Sequence, residues 1–283
     1  MEVNPTILII GCGKLGKKIG SNLKNLFNIV GIKRKSGDNF NDFKIIYLDI
    51  FDSILNKALI EVNPKYVIYS LAADEQSTLS YQNAYLKGLE LCIESIKKNC
   101  PKFKHLFFIS STRVYGQKSN TVMTEATPPE PKDFGGRALL GGEEFLTLSG
   151  ISATVLRLSG LYGDQRTSLI RMANDYTCWP KNRWTNRIHD EDVINFIVFL
   201  LGKLDQDILI EPLYLLTDNS PVSLYEVLNH IRVLLGLEAL NIDPNNPFDG
   251  KQLMSIITPK TEFIFNYPSY QNGYKSIIHN LGK

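Results

Sequence analysis

A doubly wound α/β fold on a parallel sheet is predicted by two observations. Short apolar runs alternate with helix-length amphipathic stretches from residue 6 to about residue 160, and the first run passes straight into a glycine-rich loop. Parallel strands cannot be joined by a hairpin, so each needs a crossover, and the alternation supplies one. A third observation, the loss of that rhythm beyond Gly160-Leu161-Tyr162-Gly163, predicts a smaller carboxyl-terminal lobe. The expected division is residues 1–163 for the α/β core and 164–283 for the lobe, with parts of the two interleaved.

Each element follows from its own residues. Strands are expected at 6–10, 28–32, 44–48, 66–71, 105–110 and 153–158, where the apolar runs are of strand length. Leu15, Ile19, Leu23 and Leu26 recur at helical spacing, as do Leu86, Leu89, Ile93 and Ile96, so each set gives a helix one apolar face to lay on the sheet. Pro64 and Pro101 stand just ahead of apolar strands, where a residue that cannot continue a helix belongs. In the lobe, isolated helices are expected at about 190–202 and 223–235, and the segments 243–248 and 266–269 read as surface connections. No internal repeat is present.

Composition sets the bounds. The 283 residues are long enough for a sizeable core, and 43% hydrophobic with 21% charged residues is an ordinary globular balance. Lys and Arg number 31 against 29 Asp and Glu, a net charge of +2 with no dense basic block, so nucleic acid is not an expected partner. The start, Met1 to Pro5, lacks the basic and apolar regions of an export signal, and no apolar run approaches the roughly 20 residues of a membrane span. Cys12, Cys92, Cys100 and Cys178 have neither C-x-x-C spacing nor nearby His, so no metal and no disulfide framework is expected and a cytoplasmic location fits.

The first strand enters Gly11-Cys12-Gly13-Lys14-Leu15-Gly16, a G-x-G-x-x-G loop that opens the first amphipathic helix. In that setting Gly11 permits the tight turn, Gly13 lets the backbone approach a pyrophosphate, and Gly16 lets the helix pack close to the strand. The reading is a Rossmann-type dinucleotide site; a glycine turn without a ligand is the alternative. An acid at the end of the second strand would bind the ribose hydroxyls of NAD. Here Gly31-Ile32-Lys33-Arg34-Lys35 places cations there, which favours NADP over NAD, with Arg34 able to grip a 2′-phosphate through two hydrogen bonds. Solvated strand-end charges are the competing reading.

Together with this loop, five further segments resemble the extended short-chain dehydrogenase/reductase family, also called the NAD-dependent epimerase/dehydratase family. Tyr47-Leu48-Asp49-Ile50 is similar to the family's third-strand end, which implies that Asp49 and Ile50 border the adenine. The run from Val67 to Leu71-Ala72-Ala73 resembles the fourth strand and the Ala-Ala pair that lines the cofactor. Ile109-Ser110-Ser111-Thr112-Arg113-Val114-Tyr115-Gly116 resembles the S-S-x-x-V-Y-G signature, which implies Ser110 beside the cofactor and Ser111 as the active-site hydroxyl. Arg157 to Gly163 resembles the R-x-x-x-x-Y-G turn beside the nicotinamide, and Ile188-His189 to Val193 the I-H-x-x-D-V motif of the second lobe.

The sequence departs from the family at one place. Active members carry Tyr-x-x-x-Lys on the helix after the S-S-x-x-V-Y-G strand. Counting back from Glu143 puts Gly135 and Leu139 there, and a one-residue slide gives Phe134 and Ala138. Neither register restores a phenol and a cation, which leaves an atypical subgroup. Proton transfer by a positioned group contributes about 10²- to 10⁴-fold, so the substitutes matter. From motif position, Ser111 and Arg113 are expected nearest the nicotinamide, Tyr162 and His189 are candidate proton donors, and Arg137 is a candidate cation. Against each stands a structural reading: a strand-end cap, a packed aromatic, a hydrogen-bonding imidazole. The resemblance implies an NAD(P)-dependent oxidoreductase or epimerase acting on a small polar metabolite, a nucleotide sugar among the options, and at most a second copy of the chain as a homodimer partner. A catalytically inactive dinucleotide sensor is the rival, and a scaffold binding no nucleotide a third.

Overall fold

The computed structural model describes residues 4–37, 39–117, 122–243 and 249–281. Met1 to Val3 and most of the 243–248 connection lie outside the described residues. In chain order the elements are β1 (Thr6–Ile10), α1 (Lys14–Leu23), β2 (Asn28–Lys33), β3 (Lys44–Tyr47), α2 (Leu55–Val62), β4 (Tyr66–Tyr69), α3 (Thr78–Gln82), α4 (Gly88–Asn99), β5 (His105–Ser111), β6 (Val122–Met123) and α5 (Phe134–Leu148). There follow β7 (Ala153–Leu158), β8 (Gly160–Tyr162), α6 (Ser168–Asn174), β9 (Trp184–Thr185), β10 (Arg187–His189), α7 (Asp190–Asp205), β11 (Leu213–Leu216), β12 (Val222–Ser223), α8 (Leu224–Leu234), β13 (Gln252–Leu253) and α9 (Tyr270–Leu281). The chain forms two compact units, the first Met1–Tyr115, Pro129–Arg157 and Lys203–Leu213, the second Gly116–Pro128, Leu158–Gly202 and Tyr214–Lys283.

The first unit carries strands in the order β7-β5-β4-β1-β2-β3. The pairings β1·β2, β2·β3, β1·β4 and β4·β5 are parallel, with Ile10 opposite Ile32 on one side and Tyr69 on the other. The order reverses between β1 and β4, where successive crossovers leave in opposite directions and open a crevice at the carboxyl ends of both strands. Ile7, Leu8, Ile9 and Ile10 are all fully buried, as a strand covered by helices on both faces must be.

Every expected strand of this unit forms within two residues of its predicted ends, the usual scatter at frayed termini. One helix face differs from expectation. Ile19 and Leu23 are buried, but α1 stops at Leu23, Leu26 is 57% exposed and Phe27 takes the inward place. The chain must leave the helix there to begin β2 at Asn28, and the turn reverses which residue faces the core. The helix marked by Leu86, Leu89, Ile93 and Ile96 forms as α4, preceded by a π turn over Asn83–Lys87.

The second unit has its own core, in which Tyr162, Ile170, Val227, Leu228, Ile231, Tyr274 and Ile277 pack together. Helix α8 begins on a capping box, with the Ser223 hydroxyl accepting from Glu226 N at 3.1 Å and the Glu226 carboxylate accepting from Ser223 N at 3.2 Å. Both partners satisfy N–H groups that a helix start otherwise leaves unpaired. Among the described residues no helix is long and apolar enough to cross a membrane, and no group of His, Cys, Asp and Glu could hold a metal ion.

Candidate functional site

The site begins at the crevice end of β1. Gly11 has φ +83°, in the left-handed region, and a Cβ there would overlap the backbone of Leu71. Only glycine satisfies both demands. The Gly11 and Cys12 N–H groups donate to Ile32 O at 3.1 and 2.9 Å, and Ser70 Oγ donates to Gly11 O at 3.0 Å, so the loop is pinned from β2 and β4. Cys12 is buried, Leu15 half-buried, and a Cβ on Gly16 would stand 3.0 Å from Ile9, so α1 packs closely on β1. Gly13 is different: it is exposed, and a Cβ there would meet nothing nearer than Gly11 O at 4.0 Å. Open ground therefore lies before the first turn of α1, beside exposed Lys14. That turn has neither a side-chain cap nor an acidic residue, so its N–H groups and the positive end of the helix dipole suit a pyrophosphate.

At the end of β2, Lys33 stands opposite Tyr47. Arg34 donates through Nη2 to Asp74 at 2.6 Å, and its Nη1 lies 3.8 Å from Asp49. The Asp74 hydrogen bond holds the guanidinium above its ordinary pKa, and Arg34 holds the Asp74 carboxyl below its own. Asp49 also accepts from Phe51 N at 3.1 Å, and Ile50 is buried. Leu71 and Ala73 are half-buried and Ala72 is exposed, along the loop that leaves β4.

The first unit also holds a buried polar network. Ser110 Oγ donates to Glu143 Oε1 at 2.5 Å, and Arg157 grips the same carboxylate through Nε at 3.1 Å and Nη2 at 2.6 Å while its Nη1 donates to Tyr115 OH at 2.7 Å. Burial works against the Arg157 charge, and the Glu143 carboxylate outweighs it, so the guanidinium is held above its ordinary value. The network joins β5, α5 and β7. It gives Ser110, Tyr115, Glu143 and Arg157, each in a family-like segment, a shared structural task.

Helix α5, from Phe134 to Leu148, contains no tyrosine and no lysine. Asp133 caps the helix, accepting from Gly136 N at 2.8 Å. A Cβ on Gly135 would stand 2.5 Å from Arg113 Cζ and 2.6 Å from Nη1, so the Arg113 guanidinium fills the ground that any larger side chain at 135 would need. Arg113 donates through Nε to both Asp133 oxygens, at 3.0 and 3.1 Å, and through Nη1 to Tyr81 OH at 2.7 Å and Gln76 Oε1 at 3.2 Å. It also stacks on Tyr81 and Phe134, at 4.8 and 5.4 Å from the ring centroids. Its backbone N–H donates to Ser111 Oγ at 3.2 Å. Ser111 and Arg113 are thus brought together. Arg137, exposed, donates to Lys132 O at 3.0 Å. Sequence reading did not single out Tyr81, Gln76 or Asp133; a Tyr81/Tyr85 pair at helical spacing just after the Ala-Ala loop was the available signal.

Tyr162 and His189 belong to the second unit and meet edge to face there, with ring centroids 5.0 Å apart. Tyr162 stacks on Tyr274 at 4.9 Å, and burial raises its hydroxyl pKa well above the ordinary value. His189 stacks on Tyr267 at 3.9 Å and accepts at Nδ1 from Glu191 N at 3.2 Å.

Comparison with known proteins adds three findings. A model described as the NAD dependent epimerase/dehydratase family matches residues 7–208. The protein YeeZ of Escherichia coli K12 is 36% identical over 118 residues, a stretch that spans 41% of this chain and only 42% of that relative's length. Among solved structures, a protein described as a candidate NAD-dependent epimerase/dehydratase from Methylobacillus flagellatus superposes with a TM-score of 0.87 at 29% identity over 99% of both chains. UDP-glucuronic acid 4-epimerase from Bacillus cereus, in complex with NAD, superposes at 0.75 with 20% identity over 98% of this chain and 100% of its own, a likeness of fold.

Proposed function

Because the chain belongs to the NAD dependent epimerase/dehydratase family, we propose that it is an enzyme that binds NAD or NADP and acts as an oxidoreductase or epimerase on a small polar metabolite, with nucleotide sugars the first class to try. The observation that carries this reading is the glycine loop: pinned on both sides, required to be glycine at residue 11, and open at Gly13 before an uncapped helix start. A dinucleotide fits that arrangement, with Gly11 to Gly16 at the pyrophosphate, Arg34 and Asp49 toward the adenosine, and Leu71, Ala72 and Ala73 along the crevice. When bound, the nicotinamide supplies a hydride acceptor or donor. The chain's own part is to fix that ring near Ser111 and Arg113, to exclude water, and to move one proton.

The nucleotide-sugar class comes from a neighbour of like fold, the UDP-glucuronic acid 4-epimerase from Bacillus cereus. Lys33, Arg34 and Lys35 support NADP over NAD, while Asp74 on Arg34 is a carboxylate that a 2′-phosphate must displace. A catalytically silent dinucleotide binder is the second reading, favoured by Gly135 and Leu139 where the family has its phenol and cation.

Thermal denaturation with NAD and with NADP tests the binding step. A dinucleotide at 100 times its dissociation constant adds about 2.7 kcal/mol of stability, and no shift with either would defeat the reading. Absorbance at 340 nm for net oxidation or reduction, together with chromatography of the sugar products for redox-neutral epimerisation, then separates enzyme from binder.

A further inference from the structure

We propose that the Tyr81 hydroxyl, presented by α3 and held by Arg113 and Gln76, is the proton-transfer group of this chain, in place of the phenol that α5 lacks. The inference rests on the dinucleotide reading above and deepens it. Its starting point is the overlap at Gly135: the space for a side chain there is filled by the Arg113 guanidinium, so the phenol and cation missing from one helix are replaced by groups converging from elsewhere. Arg113 is the cation, and the phenol it touches, at 2.7 Å, is Tyr81.

The geometry is fixed on every side. The Tyr81 ring packs edge-on against Phe134 at 5.3 Å and tilted against Tyr85 at 5.4 Å. Its hydroxyl exchanges hydrogen bonds with the Gln76 side chain, at 2.9 and 3.2 Å, besides accepting from Arg113. Arg113 in turn is clamped by Asp133 and linked through its backbone N–H to Ser111, the residue in the place of the family's active-site hydroxyl. All these residues lie in the first unit. Asp133 supplies orientation and not protons, since it caps α5 and grips Arg113 with both oxygens.

The step balances as follows. In carbonyl reduction, a bound reduced nicotinamide dinucleotide would supply the hydride for the carbonyl carbon, being oxidised as it does so. The C=O π pair moves to oxygen and takes the proton from Tyr81 as its O–H bond breaks. The phenolate left behind faces the Arg113 cation, an opposite charge in contact that stabilises it. After product leaves, a solvent proton restores the hydroxyl; Tyr81 itself is 7% exposed and the Arg113 side chain beside it 30% exposed. Oxidation of an alcohol runs the same path backwards.

The test uses the full chain labelled with 3-fluorotyrosine and followed by ¹⁹F NMR, with the Tyr81 resonance identified by its loss in Tyr81→Phe. Should that variant fail to fold, Arg113→Lys identifies the resonance of the tyrosine it touches. NAD is expected to move the Tyr81 resonance at least about threefold further than ADP-ribose, which lacks only the nicotinamide. Equal movement by both ligands overturns the proposal while the dinucleotide site stands; binding of neither ligand removes the site and the proposal with it. On any nucleotide sugar that turns over, Tyr81→Phe lowers kcat by about 10²- to 10⁴-fold with KM nearly unchanged, and Arg113→Lys keeps more activity than Arg113→Ala. A kcat for Tyr81→Phe within about threefold of the parent protein also overturns it.

Discussion

The glycine loop and the start of α5 both belong to the first unit, and they are built in opposite ways. The loop is a continuous segment whose demands are local: one positive φ, one close approach to Leu71, one open position at Gly13. The α5 start is assembled from three separate stretches, Gln76 with Tyr81, Arg113, and Asp133 with Gly135, that meet only through tertiary contacts. A continuous site keeps its residues because backbone geometry leaves no substitutes. An assembled site can exchange them, provided the replacements arrive together.

The largest effect expected from breaking the assembled side lies beneath it. Glu143 and Arg157 are each about 6% exposed, so Arg157→Ala leaves a buried carboxylate without its cation and costs about 3–5 kcal/mol, read from the midpoint of urea unfolding. A loss below about 1 kcal/mol would mean that the network does not join β5, α5 and β7 as described. The next effect compares one substitution at both places. At Gly11 an added Cβ meets backbone that cannot move and a φ that alanine resists, for a cost of about 3 kcal/mol. At Gly135 it meets a side chain and not backbone, the Arg113 guanidinium held by Asp133, Tyr81 and Gln76. Making room weakens those hydrogen bonds at about 1–2 kcal/mol, part of which the better helix propensity of alanine offsets, and the loss stays below that at Gly11. If the two variants unfold at the same midpoint, the contrast between continuous and assembled sites fails.

That contrast also explains what could be read from the sequence. Strands, crossover helices and the glycine loop were legible because each is encoded by neighbours at fixed spacing. That α5 carries no tyrosine and no lysine is read straight from its residues, with Gly135 and Leu139, or Phe134 and Ala138, at the places the resemblance implies. What takes the pair's place under the proposal above was not legible, because the contact between Arg113 and Tyr81 spans 32 residues and depends on the β4-to-β5 crossover closing correctly. Arg137 shows the same limit: it is near in sequence and cationic, yet its guanidinium turns to Lys132 O. Leu26 and Phe27 exchange places for a similar reason, since where a helix ends is decided by the strand it must feed.

A smaller effect separates two buried carboxyls. Glu143, in the first unit, has its arginine; Asp218, in the second, lies near Arg187 but its Oδ2 has no hydrogen-bond partner among the described residues. Burial pushes the Asp218 carboxyl up to about 7, against which Ser220 N–H and Arg187 act only in part. An acid whose folded pKa is raised favours its protonated form in the native state, so its contribution is full below about pH 4 and is lost as pH rises to about 7. Asp218→Asn removes this dependence. Relative to the parent protein the variant should gain about 2 kcal/mol between pH 5 and pH 8, read from urea midpoints at the two values; parallel pH curves would contradict the assignment.

The smallest effect on stability tests the contact between Arg34, just after β2, and Asp74, in the loop after β4. Arg34 and Asp74 come from different crossovers, and their side chains are 46% and 63% exposed. A pair so open to solvent contributes within about 0.5 kcal/mol, so neither Arg34→Ala nor Asp74→Ala should move the melting temperature appreciably. Their effects on ligands should differ. If Arg34 receives a 2′-phosphate, its loss weakens NADP by about tenfold and leaves NAD nearly unchanged, whereas removing Asp74 frees the guanidinium and tightens NADP. Calorimetric titration of both cofactors against both variants measures this directly. Equal changes for NAD and NADP would make the Arg34–Asp74 pair a mere surface contact, and would leave cofactor choice to the parts of the site that the loop alone defines.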